Sequence, residues 1–128
     1  MIYSGSSSVV GNGNGPTSPY GLQKLFSEME CKLYSDLYNL DTVTLRYFNV
    51  YSSDQKAEGP YATAISNWMR HIKENKRPFI TGDGEQRRDF THVDDIVDGM
   101  FLSMSKEFGT YELGSGVNYS INELANMA

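Results

Sequence analysis

Tyr20 and Lys24 stand four residues apart in Ser18-Pro-Tyr-Gly-Leu-Gln-Lys24, at the head of a run with helical periodicity. On a helix that spacing sets both side chains on one face, one turn apart. A free phenol holds its proton up to about pH 10 and is a poor base at neutrality. An ammonium one turn away favours the phenolate. The pair is therefore a device for taking a proton from a hydroxyl. An isolated match of this spacing is also met by an exposed tyrosine and a solvated lysine, so the neighbouring stretches decide.

Those stretches are the elements that must hold the pair in place. Residues 1 to 11, Met-Ile-Tyr-Ser-Gly-Ser-Ser-Ser-Val-Val-Gly, read as a short strand entering a serine-rich turn. Such serines satisfy turn backbone in a purely structural role. In a catalytic one they place a hydroxyl at a strand's carboxyl end, where open α/β sheets hold ligands. Residues 11 to 19 are a loop of glycine, asparagine and proline. It lacks the lysine of a Walker loop and the G-x-G-x-x-G spacing, so it reads as a connector. A long helix follows, with Leu22, Leu25, Phe26, Met29, Leu33 and Leu37 as its apolar stripe. Ser18 or Thr17 caps its start, and Asn39 suits its end. Asp41 to Val50 is rich in β-branched and aromatic residues and reads as a buried strand. Helix, short turn and strand together predict a parallel crossover.

Beyond a polar loop at 51 to 59, Pro60 suits the first turn of a second helix, with Ala64, Ile65, Trp68, Met69 and Ile72 on its apolar face. Trp68 reads as a core residue. Pro78-Phe-Ile-Thr81 is expected to be a short strand, closed by the turn Gly82-Asp-Gly84. Arg87 to Val93 returns as an extended segment. Asp94 is expected to cap a third helix that buries Ile96, Val97, Met100, Phe101 and Met104. Thr110 to Leu113 is another strand, and Ser120-Ile-Asn-Glu123 has the form of a capping box opening a last helix.

Composition narrows the class. The 128 residues are 39% hydrophobic and 21% charged, enough for one domain with a modest core. A net charge of -5 and the lack of a basic run exclude a general nucleic-acid binder. No apolar stretch reaches the length of a membrane span, and the first residues lack the pattern of a signal peptide. The one cysteine, Cys31, forms no internal disulfide and reads as a small buried residue in a reducing compartment, which points to the cytoplasm.

Together the motifs resemble the extended short-chain dehydrogenase/reductase family, in its NAD-dependent sugar-nucleotide epimerase/dehydratase branch. Ser6-Ser-Ser-Val-Val-Gly11 looks like the family's serine turn ahead of Val-Tyr-Gly, and Tyr20 to Lys24 is similar to its Tyr-x-x-x-Lys helix. Leu45-Arg-Tyr-Phe-Asn-Val-Tyr51 resembles its Leu-Arg-Tyr-Phe-Asn-Val-Tyr-Gly strand end. Gly82 to Asp95 resembles its Gly-Asp-Gly-x-x-x-Arg-Asp-Phe-x-x-Val-x-Asp signature, and Tyr111-Glu-Leu-Gly-Ser-Gly116 its Tyr-Asn-(Ile/Leu)-Gly-x-Gly. The resemblance implies an α/β fold: the later part of a Rossmann-type parallel sheet plus part of the small substrate-binding domain. It implies an NAD-binding portion over residues 1 to 58 and a sugar-nucleotide portion over 59 to 128.

The same resemblance assigns roles. Tyr20 would be the base on a sugar hydroxyl while hydride passes to NAD, Lys24 would hold the nicotinamide ribose, and Ser6 would hydrogen-bond the reacting oxygen. Tyr47 and Phe48 would border the nicotinamide. Asn49 and Arg88 would hold the nucleotide diphosphate, with a surface ion pair from Arg88 to Asp89 or Asp83 as the other reading. Phe79, Ile80 and Thr81 would lie along the base. His92 reads as a structural histidine, and no metal is expected. A homodimer paired through the Tyr20 helix is implied as well.

The family's Gly-x-x-Gly-x-x-Gly turn has no match here, so the chain looks like the middle and later part of a longer enzyme, inactive by itself. The loop before Tyr20 is shorter than the family's. Val10 replaces a tyrosine, Ser52 a glycine and Thr81 an aromatic. The 4,6-dehydratases carry Thr-Asp-Glu after their serine turn, where this chain has Ser7 and Ser8 without an acid. That favours C4 epimerisation of a UDP-hexose. A nucleotide-sugar 4,6-dehydratase and an inactive binding remnant stay open as alternatives.

Overall fold

A computed structural model describes residues 1–56, 59 and 63–127. Contacts divide them into two units, Met1–Phe48 with Asp94–Gly114 and Asn49–Val93 with Ser115–Ala128. The division therefore falls at three crossings of the chain rather than at the single boundary after residue 58 expected from sequence. Residues 94 to 114 rejoin the first unit because their strand pairs with its sheet.

The first unit is a parallel sheet with a crossover helix, the α/β arrangement expected. Strands β1 (Ile2–Ser6) and β2 (Val43–Tyr47) pair with Ser6 beside Tyr47. The fold's longest helix, α1 (Pro19–Tyr38), joins them. Ser18 caps its start, its hydroxyl accepting from the Gly21 N–H at 3.1 Å, and Asn39 ends it in the left-handed region at φ 52°. A single 3-10 turn, Ser7–Val9, follows β1. The other edge of β2 takes the strand Gly109–Leu113, in parallel register.

The seam between α1 and the sheet is not the apolar stripe. Gly21, Glu28 and Cys31 are buried, with Lys24 and Leu25 half-buried beside them. Leu22, Phe26, Met29, Leu33 and Leu37 are 44–63% exposed. The docking face is polar and small because the sheet's side offers a charge. Arg46 of β2 forms a fork with Glu28, Nε to Oε1 at 3.1 Å and Nη2 to Oε2 at 2.8 Å. Thr42 Oγ1 adds a bond to the Cys31 carbonyl. Burial, then the carboxylates of Glu30 and Glu28, push the Cys31 thiol up from its ordinary value.

The helix Val93–Ser103 behaves alike. Ile96 and Ser103 are its buried residues, and a Cβ on Gly99 would stand 2.8 Å from Leu113 Cδ1. Val97, Phe101 and Met104, expected inside, are exposed at 42%, 68% and 71%. Close approach selects the small residues of a helix for the contact. Asp94 is the second helical residue, not the cap, since the chain runs straight from the strand Thr91–His92 into the helix.

The second unit has two small pairings. Val50–Tyr51 runs parallel to Thr91–His92, and Arg87–Asp89 runs antiparallel to Asn118–Ser120. Its helix α2 (Ala64–Lys73) opens on a box between Thr63 and Ser66, and Trp68 is buried. Pro60 lies outside the described residues. Ser120 and Glu123 exchange the bonds of a capping box before the helix Ile121–Met127, at 2.8 and 3.0 Å. Pro78 to Thr81 is not a strand: among the described residues no neighbouring strand offers it a ladder, and Phe79 is 75% exposed.

Candidate active site

In the first unit, the carboxyl end of β1 gathers the predicted catalytic groups. Lys24 Nζ donates to the Ser4 carbonyl at 2.8 Å. It stands 5.3 Å from the Tyr3 ring centroid and 5.8 Å from that of Tyr20, so the ammonium lies against both aromatic faces. One acceptor leaves it two N–H groups for a ligand. Tyr20 is 56% exposed and open to one.

Gly21 brings this helix turn against the serine turn. A Cβ there would lie 2.7 Å from the Ser8 carbonyl oxygen, closer than side chains approach. Ser6 Oγ accepts from the Ser8 N–H at 3.2 Å and shares a 2.7 Å hydrogen bond with Ser8 Oγ. Tyr47 ends β2 beside Ser6, its hydroxyl 3.2 Å from Ser4 Oγ, and the half-buried Phe48 donates its N–H to the Leu113 carbonyl at 3.2 Å. Three residues were missed from sequence: Tyr3, Ser8 and Gly21. A glycine inside a helical pattern was the available signal for the last.

In the second unit, Asn49 and Arg88 line one cavity of about 230 Å³ with Thr63, Ala64, Ile65 and Gln86. Asn49 Nδ2 donates to the Asp89 carbonyl at 2.8 Å, and Arg88 Nη1 to the Arg87 carbonyl at 2.8 Å. Among the described residues no carboxylate pairs with Arg88, so its fork faces no internal anion. The first turn of α2 adds its positive end, because the N–H groups of Ala64 and Ile65 have no acceptor among the described residues. A guanidinium and a helix N-terminus on one wall suit an oxyanion.

Asp89, the other reading's partner for Arg88, is committed elsewhere. Its carboxylate accepts from Ser115 Oγ at 2.7 Å, from the N–H groups of Ser115 and Gly116 at 2.9 Å each, and from Thr91 Oγ1 at 3.3 Å. Burial raises the Asp89 pKa, but the Ser115, Gly116 and Thr91 donors together outweigh it and hold the group below its ordinary value. Asp83 accepts from the Glu85 N–H at 3.0 Å. His92 meets the Tyr51 ring edge-on at 5.3 Å. Phe79, Ile80 and Thr81 are absent from the lining of the Arg88 cavity. Among the described residues no cluster of His, Cys, Asp and Glu could hold a metal ion, and no helix is long and apolar enough to cross a membrane.

The chain is similar to several known proteins. The profile of the NAD-dependent epimerase/dehydratase family matches residues 1–114. A putative UDP-glucose 4-epimerase of Methanocaldococcus jannaschii is 38% identical over 109 residues, 85% of this chain and 35% of that protein. A UDP-glucuronate 4-epimerase of Thermodesulfobacterium geofontis is 40% identical over 113 residues, 85% of this chain and 33% of its own length. The structure of a UDP-N-acetylglucosamine 4-epimerase from Methanobrevibacter ruminantium, in complex with UDP-N-acetylmuramic acid, superposes with a TM-score of 0.93 at 36% identity. It is covered over 44% of its length by 98% of this chain, so the chain spans less than half of these relatives.

Proposed function

The chain belongs to the NAD-dependent epimerase/dehydratase family, and on that premise we propose that it is the proton-transfer and diphosphate-binding part of a UDP-hexose 4-epimerase. One observation carries the reading: Lys24 bridges the Ser4 carbonyl and the Tyr20 ring while Gly21 presses the same helix turn against the serine turn that holds Ser6. A base, a cation and a hydroxyl donor then belong to one end of one sheet.

Tyr20 Oη takes the proton of the sugar's C4 hydroxyl and returns it after the ketone has turned over. Lys24 holds a ribose hydroxyl with a remaining N–H. Ser6, with Ser8 as its hydrogen-bond partner, donates to the reacting oxygen as negative charge develops there. Asn49, Arg88 and the first turn of α2 hold the diphosphate. When bound, NAD supplies the acceptor and donor of the C4 hydride. The residues fit the nicotinamide end of that cofactor: Tyr20 is exposed, and Lys24 spends one N–H on the protein. They do not address the dinucleotide's far end, so this chain by itself binds NAD weakly or not at all; a micromolar dissociation constant by calorimetry overturns that point.

The serine pair at 7 and 8 supports epimerisation over dehydration, which needs an acid to move a carbon-bound proton. The exposed stripe of α1 supports a homodimer paired through that helix. The deciding experiment replaces the matched segment of the Methanobrevibacter enzyme with this chain and supplies NAD with UDP-glucose, UDP-N-acetylglucosamine or UDP-glucuronate. The expected product is the C4 epimer of one of them, lost on Tyr20→Phe. A 4-keto-6-deoxy product establishes the dehydratase instead, and a folded, inert chimera leaves the binding remnant.

A further inference from the structure

The loop between the serine turn and α1 closes on one atom. The N–H groups of Gly13 and Gly15 both donate to the Val10 carbonyl, at 3.0 and 3.2 Å. A carbonyl has two lone pairs, so that acceptor is full. Gly11, Gly13 and Gly15 stand at φ 56°, 90° and 96°, where residues with side chains are strained. A Cβ on Gly11 would run into the Gly15 carbonyl oxygen. Between these glycines Asn12 and Asn14 are exposed, and among the described residues neither side-chain amide has a hydrogen-bond partner.

Of the chain's asparagines only these two precede a glycine. In that pairing the glycine's backbone nitrogen can attack the asparagine Cγ, because no Cβ obstructs the approach. The new N–Cγ bond closes a succinimide ring, and the bond from Cγ to the side-chain nitrogen breaks to release ammonia. Water then opens the ring at either carbonyl and leaves aspartate or isoaspartate. No oxidant or reductant takes part, and water is the one co-reactant. The attacking atoms are Gly13 N and Gly15 N, the same two whose hydrogens the Val10 carbonyl holds. Neither can attack until its own hydrogen bond opens, a local event that leaves the sheet intact.

We propose that Asn12 and Asn14 are sites of spontaneous deamidation, and that the closed loop holds both in check through one carbonyl. Isoaspartate adds a methylene to the backbone between Val10 and Gly15, so the first conversion opens the loop and frees the second site. Each conversion places a carboxylate in the segment that joins the turn of Ser6 to the helix of Tyr20.

The test uses the whole chain, incubated at mildly alkaline pH and sampled by peptide mass spectrometry, beside the same chain unfolded in urea. Deamidation is expected at Asn12 and Asn14 ahead of every other asparagine. In the folded chain each is expected to react about two- to tenfold more slowly than in urea, the worth of one hydrogen bond. Amide hydrogen exchange on a nitrogen-15-labelled sample supplies a second measurement that needs no variant. Exchange at Gly13 is expected to be slowed by the same factor as deamidation at Asn12, and exchange at Gly15 by that of Asn14, since one opening frees one nitrogen for both reactions. Gly11→Ala, which forces the closure apart without touching either attacking atom, is expected to keep its far-UV circular dichroism and to deamidate as fast folded as unfolded. Doubly converted chains are expected to exceed the product of the single conversions.

Equal deamidation rates in the folded and unfolded wild type overturn the proposal, as does slowing with no matching protection of the glycine amides. A folded Gly11→Ala chain that reacts as slowly as the wild type overturns it too. Double conversion at the statistical level refutes the shared closure. If Gly11→Ala fails to fold, the wild-type match between exchange and deamidation decides.

Discussion

Glu28→Ala should loosen α1 from its sheet, and the size of the effect follows from the geometry of one fork. The Glu28 side chain is 7% exposed and that of Arg46 24%. Three contacts of 2.8 to 3.2 Å join them, and Glu28 Oε1 lies over Gly5, 3.1 Å from where a Cβ would stand. Removing one member of a buried pair costs about 3–5 kcal/mol, because the survivor stays buried and uncompensated. Arg46 keeps a quarter of its side chain in water and feels the Glu112 carboxylate as well. The loss should therefore fall at or below the lower end of that range, about 2–3 kcal/mol. Glu28→Gln keeps the shape and part of the bonding and should lose about half as much. Glu28→Leu with Arg46→Met removes both charges and should return to within about 1 kcal/mol of the native chain. Urea unfolding followed by far-UV circular dichroism at pH 7 measures all of these, and near-constant slopes show that the compared states are alike. The reasoning is refuted if Glu28→Ala moves stability by less than about 0.5 kcal/mol, or if the double replacement merely sums the single ones, since neighbours in one ion pair must couple. The fork also matters for the chemistry: it sets the helix that carries Tyr20 and Lys24.

Gly21→Ala should lower the melting temperature although alanine is the better helix former by about 1 kcal/mol. The added Cβ would meet the Ser8 carbonyl at 2.7 Å, a backbone atom that yields only by moving the serine turn; a higher melting temperature refutes the close approach. Asp89 should contribute stability above the ordinary carboxylate pKa of 3.8, lost as pH falls through its lower folded value. Unfolding followed from pH 7 to pH 2 should show Asp89→Asn less stable than the native chain at neutrality and the gap closing below about pH 4; a gap independent of pH refutes it. Phe26→Lys with Met29→Lys should leave circular dichroism unchanged and convert the chain to a monomer in analytical ultracentrifugation. A native chain already monomeric at micromolar concentration overturns the pairing through α1.

Much of the fold was legible because its signals are local. Ser18 and Asn39 bound α1, Ser120 and Glu123 close a capping box, and Gly82 and Gly84 turn the chain at positive φ, each read within a few residues. The spacing of Tyr20 and Lys24 needs only a helix to bring them to one face, and the helix is present. The docking side of that helix was not legible. The apolar period marks Leu22, Leu25, Phe26, Met29, Leu33 and Leu37, of which only Leu25 is half-buried, whereas Gly21, Glu28 and Cys31 are the buried residues. The deciding partner, Arg46, is eighteen residues beyond Glu28 in sequence and reaches it only once β2 has paired. Asp89 likewise finds Ser115 and Gly116, twenty-six and twenty-seven residues on, which no spacing rule anticipates. Pro78 to Thr81 carries a strand's residues, but among the described residues no strand lies alongside, and the Trp68 and Gln86 side chains bond its Phe79 and Thr81 carbonyls instead. Sequence thus determined which elements form and which groups share an element, because those depend on neighbours along the chain. Tertiary structure decided which face each helix turns inward and which polar groups find partners, because both depend on charges and close approaches between segments distant in sequence.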